Sequence, residues 1–326
     1  MSEQYQTIAR TLMKEIAEGL HDADSPFPKR AELASRFRVT RSTIDRSIGV
    51  LVGKGLLESR QGSGTYLVRD RVPHSAAFIV GRPASGPDLR SPSCRFDLIT
   101  EETLADRSSR NRLGRYEGLL WWLPSLRALS WAGETEGRLP QIVINRHSIG
   151  LNHVSTAHGD AIRGITAERL SAVPDAQPVF LRPPRVSPDP VASMREDGFV
   201  EACGAAGRFY EVLEMPEGFG DKIRILEDRL GARAGRTLIL VSSGIAQTGA
   251  VMAWVRQREL AWRRDVWYSD FDDDEDVLTW GVWVTSFLQD YRRLFELGAE
   301  KLAALIEGRE AGVRIVVPPL RVDGDT

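Results

Sequence analysis

Cysteine is almost absent from this chain. Its two cysteines, Cys94 and Cys203, lie far apart in the 326 residues. That excludes a disulfide framework and suits free, unreactive thiols in a reducing compartment. Histidine is also scarce. Five scattered rings and two thiols make no set of ligands at metal-binding spacing. No stretch approaches the roughly 18 consecutive apolar residues of a membrane helix, and the N-terminus has no apolar signal core. The expectation is a cytoplasmic protein with no membrane contact. Catalytic signatures are missing too: no nucleophile elbow, HExxH, P-loop or paired catalytic His and acid is found in context. The expectation is therefore a protein that is not an enzyme and carries no cofactor and no metal. An excess of charge of one sign is lacking as well, since the net charge is -2.

That small net charge is unevenly spread. From Lys29 to Arg69 there are nine Lys or Arg against three acids. Phosphate binding needs such a local concentration of positive charge. Within the same stretch, Pro28 suits a helix start, and Ala31, Leu33, Ala34 and Phe37 make a buried side. Arg38-Val39 is a turn, and Thr40 is a good N-cap. In the next helix Ile44, Ile48, Leu51 and Val52 recur at helical spacing and mark a core face. The opposite face carries Ser42, Arg46 and Gly49, flanked by Arg41, Thr43 and Asp45. It is short, polar and basic at its start, which fits the roughly 12 Å major groove. A hairpin follows, with Leu57, Ser59, Tyr66 and Val68 in its strands and Gly62 and Gly64 at its tip. Arg60 and Gln61 sit where a wing reaches phosphate or the minor groove. The whole reads as a winged helix-turn-helix, with a first helix over Ser2–Leu20 packed beneath it. A winged helix also serves as a protein-interaction module, but the basic excess favours DNA.

Three runs, YQTIARTLMKEIAEG, FPKRAELASRFRVTRSTIDRSIGVLVGKGLL and RQGSGTYLV, resemble the DNA-binding domain of GntR-family bacterial transcription regulators. The likeness covers about the first 70 residues. It implies DNA contacts by Arg41, Ser42 and Thr43 at the recognition helix and by Gln61 and Gly62 at the wing; Arg46 joins them from its place on the outward face of that helix. Two positions depart from the pattern. Where the family usually shows Glu-Arg this chain has Arg30-Ala31, so that phosphate contact comes from Arg30 or is absent. Where a second Arg is common, one turn into the recognition helix, this chain has Asp45. The operator is expected to differ from the usual family sequence.

After residue 75 the pattern changes to apolar runs of strand length alternating with amphipathic helices. Strands are expected at 76–80, 95–99, 118–123, 141–144, 152–155, 178–181, 208–212, 237–241 and 265–269. Helices are expected at 160–171, 193–206, 222–230, 246–258 and 290–307. Such alternation argues for parallel sheets covered by helices, and two α/β lobes with a ligand cleft are the natural packing. Residues 81–93 (GRPASGPDLRSPS) are too rich in Gly, Pro and Ser for a crossover helix. The first lobe is therefore trimmed, or its strand order differs.

The runs YEGLLWWLPS, LPQIVINRH, NHVSTAHGD, MREDGFVEACGAAG, SSGIAQTGAVMAWV, DVWYSDFDD and VTSFLQDYRRLFELGAEKLAALIEG resemble, in order, the effector-binding core of LacI/GalR-type repressors, which has the periplasmic-binding-protein fold. A GntR head on such a core resembles the arabinose-type repressor composite. The expected fold class is α/β: a winged helix-turn-helix (1–69), a linker (70–75) and a two-lobed LacI-type domain (76–326). Lobe 1 is expected at about 76–173 plus 287–310, and lobe 2 at about 174–286 plus 311–326.

This resemblance places Arg195 and Asp272 at an effector, a sugar or sugar derivative. Ser242 stands where the family often has Asn. Phe219 offers a stacking face, and either His158 or Asp160 faces the cleft from the other lobe. Asp272 also belongs to an acidic run that reads equally as a solvated loop. One of Trp121 and Trp122 is core and the other is core or cleft lining; Trp280 and Trp283 read as packing. The implied function is an effector-controlled transcription regulator, a repressor, acting as a homodimer on double-stranded operator DNA. Two alternatives stand beside it: a LacI-like body that has lost its ligand and serves dimerisation, and a sugar-modifying enzyme with an accessory DNA-binding head. A secreted solute-binding protein does not fit the basic head.

Overall fold

The apolar stripes of the first 70 residues close on one another in the computed structural model. It describes residues 4–17, 20–21, 25–60, 64–68, 73–81, 87, 89–146, 150–185, 190–232, 235–272 and 281–326. The chain divides into two compact units, Met1–Pro73 and His74–Thr326.

The first unit runs α1 (Gln4–Ala17), α2 (Arg30–Phe37), α3 (Arg41–Gly53), β1 (Leu57–Arg60) and β2 (Gly64–Leu67). Ile8, Leu12, Phe27, Leu33, Ile44, Ile48, Leu51, Leu57 and Leu67 form its core. The α2–α3 turn is made by Arg38 in the left-handed region (φ 53°), and Thr40 caps α3 by accepting from the Thr43 amide. β1 and β2 are antiparallel, Leu57 opposite Leu67 and Arg60 opposite Gly64. Two details differ from expectation. Helix α2 begins at Arg30, with Lys29 as its cap rather than Pro28 at its first position. Val52 is 40% exposed, because 44, 48 and 51 already complete the inward stripe.

The second unit contains two parallel sheets. The first sheet has six strands in the order β13-β7-β6-β5-β3-β4, from β3 (His74–Val80), β4 (Cys94–Thr100), β5 (Gly118–Trp122), β6 (Gln141–Ile144), β7 (His153–Thr156) and β13 (Arg314–Val317). One face packs on α10 (Tyr291–Ile306). The other lies under α5 (Leu126–Thr135) and the turns around α4 (Arg107–Asn111). The second sheet, β11-β10-β8-β9, comprises β8 (Gln177–Arg182), β9 (Glu211–Glu214), β10 (Leu238–Ser242) and β11 (Val266–Ser269). Its helices are α6 (His158–Ala172), α7 (Pro190–Ala205), α8 (Phe219–Leu226) and α9 (Thr248–Gln257). A ribbon of β12 (Ser286–Leu288) against β14 (Leu320–Val322) completes the unit.

Strands form at all nine expected places, the one expected at 208–212 moved on to Glu211–Glu214, but the lobe boundaries shift. α6 belongs with the second sheet, because Ile162, Ile165 and Leu170 bury against Phe180, Phe199 and Ile239. β13 belongs with the first, pairing in parallel with β7; the expected division had placed 158–173 in lobe 1 and 311–326 in lobe 2. The linker is also shorter than 70–75, since His74 and Ser75 already pair with Cys94 and Arg95 in the first sheet. β3 and β4 are parallel neighbours with no helix among the described residues between them, and β4 ends the strand order of the first sheet. Cys94 and Cys203 are free and buried, and burial pushes their thiols up to about 12 and about 11.

Candidate nucleic-acid interface and effector cleft

On α3 the inward stripe of Ile44, Ser47, Ile48 and Leu51 turns positions 42, 45, 46 and 49 outward. Arg41, Ser42, Asp45 and Arg46 are exposed. Arg41 and Arg46 make no ion pair among the described residues. Ser42, Thr43 and Arg46 line a cleft of about 600 Å³ with Gln4, Tyr5, Arg38 and Thr40. Thr43 is partly spent on structure: its amide and hydroxyl both meet the Thr40 hydroxyl. Ser47 ties α3 to α1 by donating to the Tyr5 carbonyl at 3.0 Å. Arg30 of α2 joins α3 to β2, bonded to Asp45 (3.1 Å) and to the Thr65 hydroxyl (2.7 Å). Gln61, Gly62 and the Arg60 side chain lie outside the described residues.

In the second unit, Arg195 of α7 is 4% exposed. Its guanidinium lies 3.7 Å from the Phe271 ring centroid. It donates from Nη2 to Asp272 Oδ2 (3.2 Å), from Nε to His158 Nδ1 (3.2 Å) and from Nη1 to the Ser243 carbonyl. A guanidinium only donates. His158 Nδ1 is therefore the acceptor, and its Nε2–H donates to Asn145 Oδ1 at 3.0 Å. Asn145 Nδ2 then donates to Gln289 Oε1, and Gln289 Nε2 to Asp272 Oδ1. Five side chains thus close a ring: Arg195, His158, Asn145, Gln289 and Asp272. Thr156 adds its hydroxyl to Gln289 and its amide to Asn145. The Tyr291 hydroxyl accepts from Gln289 at 2.8 Å.

The ring members come from both sheets. Asn145 follows β6, His158 opens α6 after β7, and Asp272 follows β11. Carboxyl ends of parallel strands are where α/β proteins bind small ligands. Asn145 (φ 59°) and Asp272 (φ 67°) are held in the left-handed region, which Asn and Asp tolerate better than other L residues. His158 meets Arg195 because α6 and α7 cross closely at Gly159 and Gly198. A Cβ at Gly198 would sit inside contact distance of the Gly159 carbonyl oxygen.

Of the candidate effector residues, Arg195 and Asp272 are brought together. Ser242 is fully buried, and its hydroxyl donates to the Gly244 carbonyl at 2.8 Å. Phe219 is 53% exposed at the start of α8, against Gly249. Of the pair His158 and Asp160, His158 is fully buried and joins the ring, whereas Asp160 pairs with Arg163 on the outside of α6. Trp121 and Trp122 are both core: Trp121 donates to Gln141, and Trp122 packs among Phe78, Phe295 and Tyr291. Trp283 is exposed rather than packed, and Trp280 lies outside the described residues. Asn145 and Gln289 had no sequence signal beyond being polar residues at the ends of apolar strands. Among the described residues no cluster of His, Cys, Asp and Glu could hold a metal, and no helix is long and apolar enough to cross a membrane.

Residues 4–67 match the model of the bacterial regulatory proteins of the gntR family. The probable fructoselysine utilization operon transcriptional repressor of Escherichia coli is 32% identical over 77 residues, 24% of this chain and 32% of that protein. The match thus spans about a third of the relative's length. Among solved structures, the lac repressor dimer bound to operator superposes with a TM-score of 0.60 at 17% identity, over 78% of this chain and 94% of that one. The transcriptional regulator CelR in complex with cellobiose does so at 0.59 and 16% identity, over 92% and 99%. The N-terminal unit is a gntR-type winged helix-turn-helix, and the second unit has the periplasmic-binding-protein-like fold of the LacI-type regulators.

Proposed function

We propose that this protein is a sequence-specific DNA-binding transcription regulator, a repressor, whose operator affinity is set by a small polar effector bound between the two sheets of its second unit. The observation that carries the reading is the outer face of α3. Arg41, Ser42 and Arg46 stand exposed on a capped helix whose other side is core, with both arginines engaged by no carboxylate among the described residues. Such a face contacts base edges and phosphates. A homodimer sets two such helices about one turn of DNA apart. The matched relative and neighbours, a utilization-operon repressor, a repressor on its operator and a regulator with cellobiose, support both halves of this reading.

DNA from upstream of the protein's own gene tests it by fluorescence anisotropy across salt concentration. Tight binding that weakens steeply with salt is expected, and Arg41→Ala and Arg46→Ala each flatten the slope by about one phosphate. Absence of binding at low salt overturns it. A sugar and sugar-acid panel by thermal shift tests the effector, which stabilises by mass action.

A second reading has its own observation. Arg195 is already engaged by Asp272, His158 and Ser243. The body then closes on its own side chains and serves mainly to dimerise. Operator binding unaltered by every sugar, with no thermal shift, favours that reading.

A further inference from the structure

The recognition helix carries an acid on the face that reads DNA. Asp45 shares the outward side of α3 with Ser42, Arg46 and Gly49, and its side chain is 51% exposed. A bare carboxylate there repels phosphate. The structure answers this charge from another helix. Arg30, in the first turn of α2, meets Asp45 Oδ1 through Nε at 3.1 Å and the Thr65 hydroxyl of β2 through Nη1 at 2.7 Å. Thr65 is itself 4% exposed, and its carbonyl accepts from the Phe27 amide at 2.7 Å. One guanidinium therefore fastens the recognition helix to the wing and fixes the Asp45 rotamer. It occupies one carboxylate oxygen and leaves the second without a partner among the described residues. The two departures from the GntR resemblance, Arg30 and Asp45, thus form one ion pair.

We propose that Asp45 determines the base preference of this helix, selecting cytosine at one position of each half-site, with Arg30 as its positioning residue. This rests on the reading of the head as a DNA-binding domain. A carboxylate only accepts, so it needs a donor in the major groove. Guanine and thymine present acceptors there. Adenine presents an amine, but its N7 acceptor lies beside that amine and repels the carboxylate. Cytosine presents N4–H2 with a C5–H edge, and no acceptor of its own ring, beside it in the groove. Neutralisation by Arg30 lets the acid approach the duplex at low cost in phosphate repulsion.

The test is selection of bound duplexes from a random pool by the full chain, at one salt concentration, for the parent and four variants. The parent is expected to select a fixed cytosine. Asp45→Ala loses that preference and keeps the rest of the site. Asp45→Asn moves it to adenine, the base that an amide reads through N6 and N7. Arg30→Glu sets two acids together and weakens binding to every sequence. Arg30→Glu with Asp45→Arg rebuilds the pair in the opposite sense, recovers affinity and moves the preference to guanine. Discrimination at that position changes by on the order of tenfold or more. If Asp45→Ala and Asp45→Asn select the parent's site unchanged, while both bind and melt like the parent, the proposal is overturned and DNA binding stands. If the parent itself selects no sequence, the DNA-binding reading fails, and the proposal with it.

Discussion

Asp272→Asn is the sharpest test of the cleft, because the five-residue ring obeys a counting rule. Arg195 donates in both directions around it. His158, Asn145 and Gln289 each donate once and accept once. The ring closes only if one member accepts in both directions, and Asp272, a carboxylate, is that member. An amide of the same shape cannot replace it. Whichever way the substituted amide turns, its NH2 group faces a donor. Flipping Gln289 or Asn145 only moves the conflict along the ring until it reaches the opposite side of Arg195. A protonated His158 would be a second double donor, so the ring also requires the neutral imidazole.

Breaking a fully buried ion pair by removing one partner costs about 3–5 kcal/mol. The Arg195 side chain is 5% exposed and that of Asp272 is 32%, so water reaches the acid and reduces the loss. One unmade contact beside a buried charge leaves about 2 kcal/mol, which lowers the melting temperature of a domain this large by about 4–8 °C. Arg195→Met removes the double donor. Adding it to Asp272→Asn should therefore cost less than the sum of the two single changes, which a double-mutant cycle in differential scanning calorimetry measures. Melting of Asp272→Asn within about 1 °C of the parent, or strict additivity in the cycle, refutes the closed ring.

Three further outcomes are expected. His74 lies between Glu117 (3.0 Å) and Glu307 (3.2 Å). Burial opposes its charge, but the two carboxylates outweigh burial and hold its pKa above the ordinary value. Its contribution is therefore complete below the unfolded value of about 6.5 and is lost as pH rises through the higher folded value. His74→Gln should flatten the denaturant-midpoint profile above about pH 6.5, and an unchanged profile contradicts the assignment. Gly49 sits on the exposed face of α3 with nothing within 4 Å of an added Cβ. Gly49→Ala should stabilise the head by about 0.5–1 kcal/mol in chemical denaturation, while weakening operator binding, because the new methyl group stands between backbone and DNA. Gly198→Ala forces α6 and α7 apart at Gly159. It should destabilise the second unit by about 1–3 kcal/mol, read as a lowered midpoint, and a midpoint equal to the parent's would show that the helices separate freely.

The winged head was legible because its signals are local. A cap at Thr40, a three- and four-residue stripe at Ile44, Ile48 and Leu51, and a basic excess all lie within about 40 residues, and each names its own structural role. Parallel strands were legible for a similar reason: strands buried on both faces, such as Gly118–Trp122 and Gln141–Ile144, are continuous apolar runs. The elements that were missed lack that signature. β12 and β14 are three residues each and β13 alternates exposed and half-buried positions. α5 carries Gly133 and Thr135 near its end and reads as weakly helical.

The amino-acid sequence by itself determined the kinds of unit present: a winged head with a basic, capped helix, followed by an α/β body, with Arg195 and Asp272 both marked as candidate ligand residues. Tertiary structure alone decided which lobe owns α6 and β13, since helices and strands of either sheet share the same apolar pattern and only packing assigns them. It alone brought Asn145, His158 and Gln289 to Arg195, across 144 residues at the widest bond. It also turned two separate departures, Arg30 and Asp45, into one ion pair. Hydrogen bonds and ion pairs depend on distance in space, and residues on different elements carry no local trace of which partner the fold will set beside them.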